Sequence, residues 1–449
     1  MTYCSLIFLL AFLPLTIILQ VVDNSSEYKN FALVIMSALF LFWGRPVWIL
    51  LLLLTTLPTW ALGFMGASQK LWFKNLSVAL AILVNGGAYA FFANAENLSA
   101  VMGFEIPALV GVGFYALSSI AYVSDCSLGL IKPEKNYFYI LTYLTMFPTM
   151  LCGPLVRYSD IKDQLRVKDR MTADNVSHGF TRFIIGLSKV VILALPLKEI
   201  YSVCINSSTA YGSIFGIIVF ILFFFTLFTG YTDMAIGLAR IMGLSLPENF
   251  SSLDLSTGVT GAVMSFNKTV IRFIDDCVFS PVNANAKNSI PLCVAIIIFS
   301  LILGVWFGGS AMTILFCLFI GILLVLEELL LSRFFAKTSR FIVGVYTVLA
   351  VFFAFAIFAF GFADISPLTA VQNLTGGGNG NIAPVWNTLS EHIFLIIFTA
   401  LFMSPLRKLL KKLMVKTAAN VKCGYGVVRI AQTIALTALY VICIFAVAV

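Results

Sequence analysis

Gly230, Asp233, Gly237 and Arg240 stand three, four and three residues apart. On a helix that spacing puts all four on one face. They belong to a polar, glycine-bearing block at 229–250 that follows directly on the apolar run 214–228. A charge at bilayer depth costs about 3 kcal/mol or more on insertion scales, so it is normally paired. Two arrangements meet that demand: Asp233 and Arg240 pair along the face, or each binds a partner across it. The glycines let a second helix approach closely. The charges then either fix helix register as a buried ion pair or line a polar cavity.

The elements that carry this face must be membrane helices. The chain has 449 residues, 60% of them hydrophobic and 11% charged, with a mean hydropathy of +1.01. Soluble domains carry about 25% charged residues, so the composition defines an all-α polytopic membrane protein. A spanning helix needs roughly 20 apolar residues. Runs of that order lie near 5–22, 30–64, 72–93, 105–124, 179–203, 210–228, 290–307, 310–331, 341–363, 388–404 and 428–449. Gly44-Arg45-Pro46 breaks the run at 30–64, which reads as two short segments or a kinked pair. About 11 spans are expected, with further segments dipping part way. The first run lacks a basic leader and a small-residue cleavage site, and reads as a span, not a removed signal.

The net charge of +8 is not a nucleic-acid signature, because the basic residues sit in short loops between apolar runs. They cluster at Lys132/Lys135, Arg157 to Arg170, Arg333/Lys337/Arg340 and Arg407 to Lys416, whereas 94–104 and 364–387 hold none. The positive-inside rule puts the basic loops in the cytoplasm and the other two outside. Residues 137–156 lie between two cytoplasmic loops and contain Pro148, Gly153 and Pro154. That segment must enter and return, which makes it re-entrant over a cavity near 148–157. Residues 251–289, richer in Ser, Asn and Asp, are expected to form short interfacial pieces. Residues 405–416 put leucines on one face and Arg407, Lys408, Lys411 and Lys412 on the other, an interfacial basic helix. The glycine run at 376–380 has no Lys-Ser/Thr after it and is not a phosphate cradle.

Nine cysteines without a CxxC read as small buried hydrophobes, and no metal site is expected. The chain has two histidines, His178 and His392. His178 reads as a surface or helix-end residue and His392 as an interfacial one.

Four blocks then occur in order: Pro107–Asp125, Met146–Tyr158 (Met-Phe-Pro-Thr-Met-Leu-Cys-Gly-Pro-Leu-Val-Arg-Tyr), Gly179–Lys189 and the block ending Pro247-Glu248-Asn249-Phe250. Over roughly 30–365 the chain resembles the membrane-bound O-acyltransferase family, in the branch of alginate O-acetylation and D-alanyl-transfer proteins. The resemblance implies a single membrane domain in which a ring of helices surrounds a central funnel. It implies a bacterial cytoplasmic-membrane location and membrane lipid as a neighbour. It also implies a cytoplasmic acyl thioester donor, no bound cofactor, and an extracellular acyltransferase partner. Candidates to line the funnel are Tyr115 from the first block, Arg157 from the second, Tyr231, Asp233, Arg240, Glu248 and Asn249 from the last, and Trp306.

Active members of this branch carry a histidine in a Trp-His-Gly stretch and a second polar residue in an upstream Trp-Arg-Arg-Trp-His-Ile-Ser stretch. A hydroxyl attacking a thioester must lose its proton, and a pocketed histidine takes it at neutral pH. Here the first stretch reads Gly304-Val-Trp-Phe-Gly-Gly-Ser310, and Phe307 occupies the histidine position. The upstream stretch reads Val263-Met-Ser-Phe-Asn-Lys-Thr269, and Asn267 occupies the other. Asparagine orients a carbonyl or hydroxyl but is not a base. The paired arginines become Met264 and Ser265, with Arg272, Asp275 and Asp276 nearby. Of the substitutes, Asp233 needs burial to become a base, and Cys277 reads as a small buried residue.

Three functions fit these residues. The first is a catalytically silent or impaired member that serves polysaccharide O-acylation as a scaffold or partner. The second is an active O-acyltransferase with a non-standard base. The third is a non-enzymatic conduit for a lipid or acyl species.

Overall fold

The computed structural model describes residues 2–43, 47–95, 99, 111–251, 255–280, 282, 289–307, 310–335, 337–377, 380–403 and 424–448. Regular structure among them is entirely helical. In chain order the principal helices are α1 (Phe8–Val21), α2 (Ser26–Phe42), α3 (Val47–Gly66), α4 (Leu71–Ala93), α5 (Val112–Ser127), α6 (Tyr137–Thr145), α7 (Ala173–Ile205) and α8 (Ala210–Ile241). They continue as α9 (Gly258–Ser265), α10 (Lys268–Ile274), α11 (Ile290–Trp306), α12 (Ala311–Leu331), α13 (Arg340–Phe362), α14 (Ala383–Met403) and α15 (Gly424–Ala448). Each apolar run of the sequence carries helix where it is described. Among the described residues, seven helices are long and apolar enough to cross a membrane, with α1 and α11 as shorter apolar helices. The basic stretch 405–416 and the break at 44–46 lie outside the described residues.

The described residues sort into two compact units. One comprises Met1–Leu187, Tyr231–Asn249 and Val447–Val449, the other Ser188–Gly230 and Phe250–Ala446. Helix α8 contributes its first part to the second unit and its last three turns to the first.

In the first unit the segment expected to be re-entrant is too short to cross. α6 has nine residues, about 14 Å of rise, roughly half of a hydrocarbon core. A single turn, Phe147–Met150, follows after Met146 leaves helical geometry. The chain then runs without regular structure to Arg157. Its carbonyls are satisfied by side chains from elsewhere in the unit, as buried backbone requires. Tyr3 donates to Phe147 O at 2.7 Å, Thr232 to Cys152 O at 3.2 Å and Tyr143 to Val156 O at 2.8 Å. Phe8, Phe12, Phe40 and Phe147 pack around this turn with ring centroids 5.3 to 6.3 Å apart.

In the second unit the end of α7 and the start of α8 pack with α13 and α14 around Tyr201, Phe220 and Phe360. Tyr201 donates to Ala359 O at 2.5 Å. Lipid tails are as apolar as these side chains, so close packing and buried hydrogen bonds hold this core more than water exclusion does. The α11–α12 hairpin is tight because Gly304 faces the backbone of Ile314, where a Cβ would stand 2.7 Å from Ile314 Cα. Helix α9 begins on a buried carboxylate. Glu327 accepts from Val259 N at 2.6 Å, Thr260 N at 2.8 Å and Thr260 Oγ1 at 2.6 Å. An anion suits a helix N-terminus, where backbone N–H groups have no intrahelical acceptor. Hydrogen bonds to a charged group are each worth about 1.5–3 kcal/mol. Glu327→Ala is therefore expected to cost about 2–4 kcal/mol, read as a fall in the thermal unfolding midpoint, with Glu328→Ala as the milder comparison. An equal fall for both would mean that the cap contributes little.

Candidate functional site

Phe307 and Asn267 line one chamber in the second unit, about 600 Å³ in volume. Phe307 caps α11 at the hairpin turn, where its N–H bonds Leu303 O at 2.8 Å. The residue is about half exposed and lines this space. Asn267 joins α9 to α10 with φ +51°, in the left-handed region. Asparagine and histidine enter that region more readily than most residues with side chains, so the backbone here accommodates either. The carbonyl of Asn267 starts α10 by accepting from Val270 N and Ile271 N at 3.1 Å each. Its side-chain Oδ1 is buried and has no hydrogen-bond partner.

The chamber wall is otherwise apolar. Ten of its lining residues are phenylalanine, including Phe224, Phe225 and Phe228 from α8 and Phe355, Phe358 and Phe362 from α13. Its polar atoms come from Asn267, Ser310, Thr313 and Cys317, and its described lining holds no histidine, carboxylate or basic residue. Ser310 N-caps α12, and its hydroxyl lies 2.8 Å from that of Thr313. Trp306 stands one residue before Phe307 and is not part of the lining. A smaller cavity of about 250 Å³ shares the walls Val263, Ile271, Leu303, Cys317 and Ile320 and holds Asp275 and Glu328.

Asp233, Gly237 and Arg240 of the glycine–charge face sit in the first unit, and the two charges do not pair with each other. Asp233 pairs across to α7, accepting from Arg182 Nε at 3.0 Å. The same guanidinium grips Glu248 with two bonds, at 2.5 and 2.7 Å. Arg240 instead donates to Ser245 Oγ at 2.9 Å. Gly237 meets Gly179 of α7. A Cβ on Gly237 would lie 2.6 Å from Phe183 N, and one on Gly179 would lie 2.6 Å from Ile241 N. Both glycines are thus forced by backbone contact. Asp233 is committed to a guanidinium and supplies no free base.

The remaining candidates also fall in the first unit, within hydrogen-bonded packing. Tyr115 shares a 2.6 Å hydrogen bond with Thr55 and is buried. Arg157 lies 3.7 Å from Asp125, both nearly inaccessible. The Tyr231 ring packs 6.3 Å from that of Tyr3. Asn249 is buried in the irregular stretch that follows α8. His178 is exposed on the first turns of α7, and the ring of His392 contacts Thr388 O at 3.0 Å within α14. Neither histidine nor Cys277 lines either cavity.

Two residues that the sequence reading passed over organise the first unit. Arg182 was visible as a signal: Gly179, Arg182 and Gly186 repeat the three-and-four spacing of Gly230, Asp233 and Gly237 with the opposite charge. Glu134 was hidden between Lys132 and Lys135. Its Oε2 accepts from Tyr158 at 2.6 Å and Arg166 at 2.5 Å, and its Oε1 from Asn136 N at 3.1 Å. Burial opposes ionisation, but these three donors outweigh it and hold the carboxyl below the usual range. A carboxylate with a depressed folded pKa stabilises above its unfolded pKa, about 4.3, and loses that contribution as pH falls through the folded value. Wild type is expected to exceed Glu134→Gln in unfolding temperature at pH 7, with the gap closing below about pH 4. A gap independent of pH would contradict this assignment.

With this geometry in place the class is settled. The model of the membrane-bound O-acyltransferase family matches residues 130–366, more than half of the chain. The chain belongs to that family, and its helices and bacterial relatives make it a multi-pass protein of a bacterial inner membrane. It is 27% identical to a probable alginate O-acetylase of Pseudomonas putida, over 74% of this chain and 71% of that one. It is 25% identical to a peptidoglycan O-acetyltransferase of Helicobacter pylori, over 56% and 55%. It is 22% identical to a teichoic acid D-alanyltransferase of Bacillus subtilis, over 48% and 58%.

Proposed function

We propose that this chain is a catalytically silent or strongly impaired membrane O-acyltransferase that serves the O-acylation of an extracellular polymer as a scaffold or partner. One observation carries the reading. The two positions that match the family's polar motif residues, Phe307 and Asn267, face the same chamber, and its described lining offers no group to take a proton. Removing a general base costs about 10²–10⁴-fold in rate. The related proteins act, by their names, on alginate, peptidoglycan and teichoic acid. That range supports a cell-surface polymer as the acceptor in the pathway; the donor, a cytoplasmic acyl thioester, and the extracellular acyltransferase that the chain serves are carried over from the family resemblance.

The adjoining cavity favours one competing reading, an active enzyme whose base is Asp275 or Glu328. Acyl transfer from a labelled thioester, measured on the purified protein in nanodiscs, separates the two. The silent reading expects wild-type turnover near background. Robust turnover lost in Asp275→Asn or Glu328→Gln, with folding intact, would replace it by the second.

A further inference from the structure

Two further cations are buried in the first unit. Lys29, in the first turn of α2, is 1% exposed, and Arg170, just before α7, is 4% exposed. Burial alone pushes the pKa of the Arg170 guanidinium down to about 10. Among the described residues no carboxylate stands within ion-pair distance of either cation. Asp23 and Asp169 are the acids that act on Lys29. Both are exposed, and Asp23 is taken up by Ser25 N and Oγ at 2.9 and 3.0 Å. A buried charge without a partner is costly, and at neutral pH arginine does not escape by losing its proton.

Three elements hold Arg170 in place. Its Nη1 donates to Asn30 Oδ1 of α2 at 2.8 Å, and Asn30 Nδ2 donates to Leu165 O at 2.8 Å. Its carbonyl accepts from Asn175 Nδ2 of α7 at 2.9 Å. Gly243, after α8, lies so close that a Cβ there would stand 2.8 Å from Arg170 Cγ. What remains is Nε and Nη2, both buried without a hydrogen-bond partner. These two atoms form one edge of the planar guanidinium, the edge that takes two oxygens of a single anion. The Lys29 ammonium is near enough for the two charges to repel, and the α2 N-terminus adds the positive end of a helix dipole. A structural clasp alone would need neither the open edge nor the second cation. A phosphate group, with more charge than a carboxylate and a further oxygen for Lys29, matches both.

We propose that the Nε–Nη2 edge of Arg170 and the Lys29 ammonium bind a phosphate group at the N-terminus of α2. The positive-inside rule places the surrounding basic stretch at the cytoplasmic face, where such a group comes from an anionic lipid headgroup or from solution. The site stands whether or not the chain transfers acyl groups.

The test reads the thermal unfolding midpoint of the full-length protein in nanodiscs of net-neutral phosphatidylcholine. Inorganic phosphate, or phosphatidylglycerol placed in the nanodisc, should raise the midpoint by about 2–4 °C in a saturable manner. Acetate at equal ionic strength should not. A rise with phosphatidylglycerol and no added phosphate assigns a lipid source, and a rise with inorganic phosphate alone assigns a soluble one. Lys29→Gln should abolish either response. Arg170→Lys keeps the charge but not the edge, and should raise the half-saturating concentration about tenfold, the loss of one charged hydrogen bond. Arg166→Gln removes an exposed arginine paired with Glu134 and should leave the response unchanged. If Arg170→Lys does not fold, Lys29→Gln decides alone. No saturable rise from either source, an equal rise with acetate, or an unchanged response in folded Lys29→Gln would overturn the proposal and leave the two cations as a structural clasp.

Discussion

Phe307→His is expected to raise acyl transfer from a thioester donor by about 10²-fold or more over wild type. The imidazole would enter a chamber whose described lining contains no proton acceptor. It would stand at the end of α11, on a hairpin whose geometry is fixed by the Gly304–Ile314 contact and the Ser310 cap. The backbone there already suits a polar partner at Asn267, so the double variant Phe307→His/Asn267→His tests whether the second position adds to the first. Background activity in both variants would show that more than the base is missing, and Met264 and Ser265, which the resemblance sets against the family's arginines, become the next changes to make. Wild-type turnover that is robust and indifferent to Phe307→Ala and Asn267→Ala would sink the silent reading.

Gly237→Leu is expected to prevent the first unit from assembling, with a loss of about 3 kcal/mol or more of stability, at the upper end of overpacking effects. The obstacle is backbone. A Cβ at 237 meets Phe183 N at 2.6 Å and Gly179 O at 2.8 Å, and neither can swing aside as a side chain does. Parting α7 from α8 also removes Arg182 from Asp233 and Glu248, which leaves partly buried charges unmatched. Gly237→Ala should show the same effect in smaller measure. Arg240→Ala, which removes only the Ser245 contact, should shift stability by about 0.5 kcal/mol or less, as surface changes do. Folded yield after detergent extraction and the thermal midpoint measure all three. Equal behaviour of Gly237→Leu and Arg240→Ala would refute the close crossing.

Much of the architecture is legible in composition alone. An apolar run of some 20 residues has few stable alternatives to a helix in a bilayer, and each such run carries one where it is described. Pro148, Gly153 and Pro154 marked the break after α6, because proline removes a backbone donor and blocks continuation. Phe307 and Asn267 stood out through their likeness to the family's motif stretches, and both line one chamber. The partners of the charges were less legible. Asp233 and Arg240 share a face, yet helix periodicity leaves open whether a charge binds along its own helix or across to the next. Glu134 and Glu327 gave no periodic or motif signal, since Glu134 acts mainly through Tyr158 and Arg166 and Glu327 through the first N–H groups of α9, partners that only the fold brings near.

The sequence by itself determined the class of protein, the apolar helices and the glycines of the crossing face. These follow from the solvent preference of side chains and from local spacing, which need no knowledge of neighbours. Only the tertiary structure decided that Arg182 binds Asp233 and Glu248, that Glu327 caps α9, and that the space behind Phe307 is lined by phenylalanines from α8, α12 and α13. Those facts depend on which faces meet, and residues as far apart as Glu327 and Val259 meet only when the helices between them have packed.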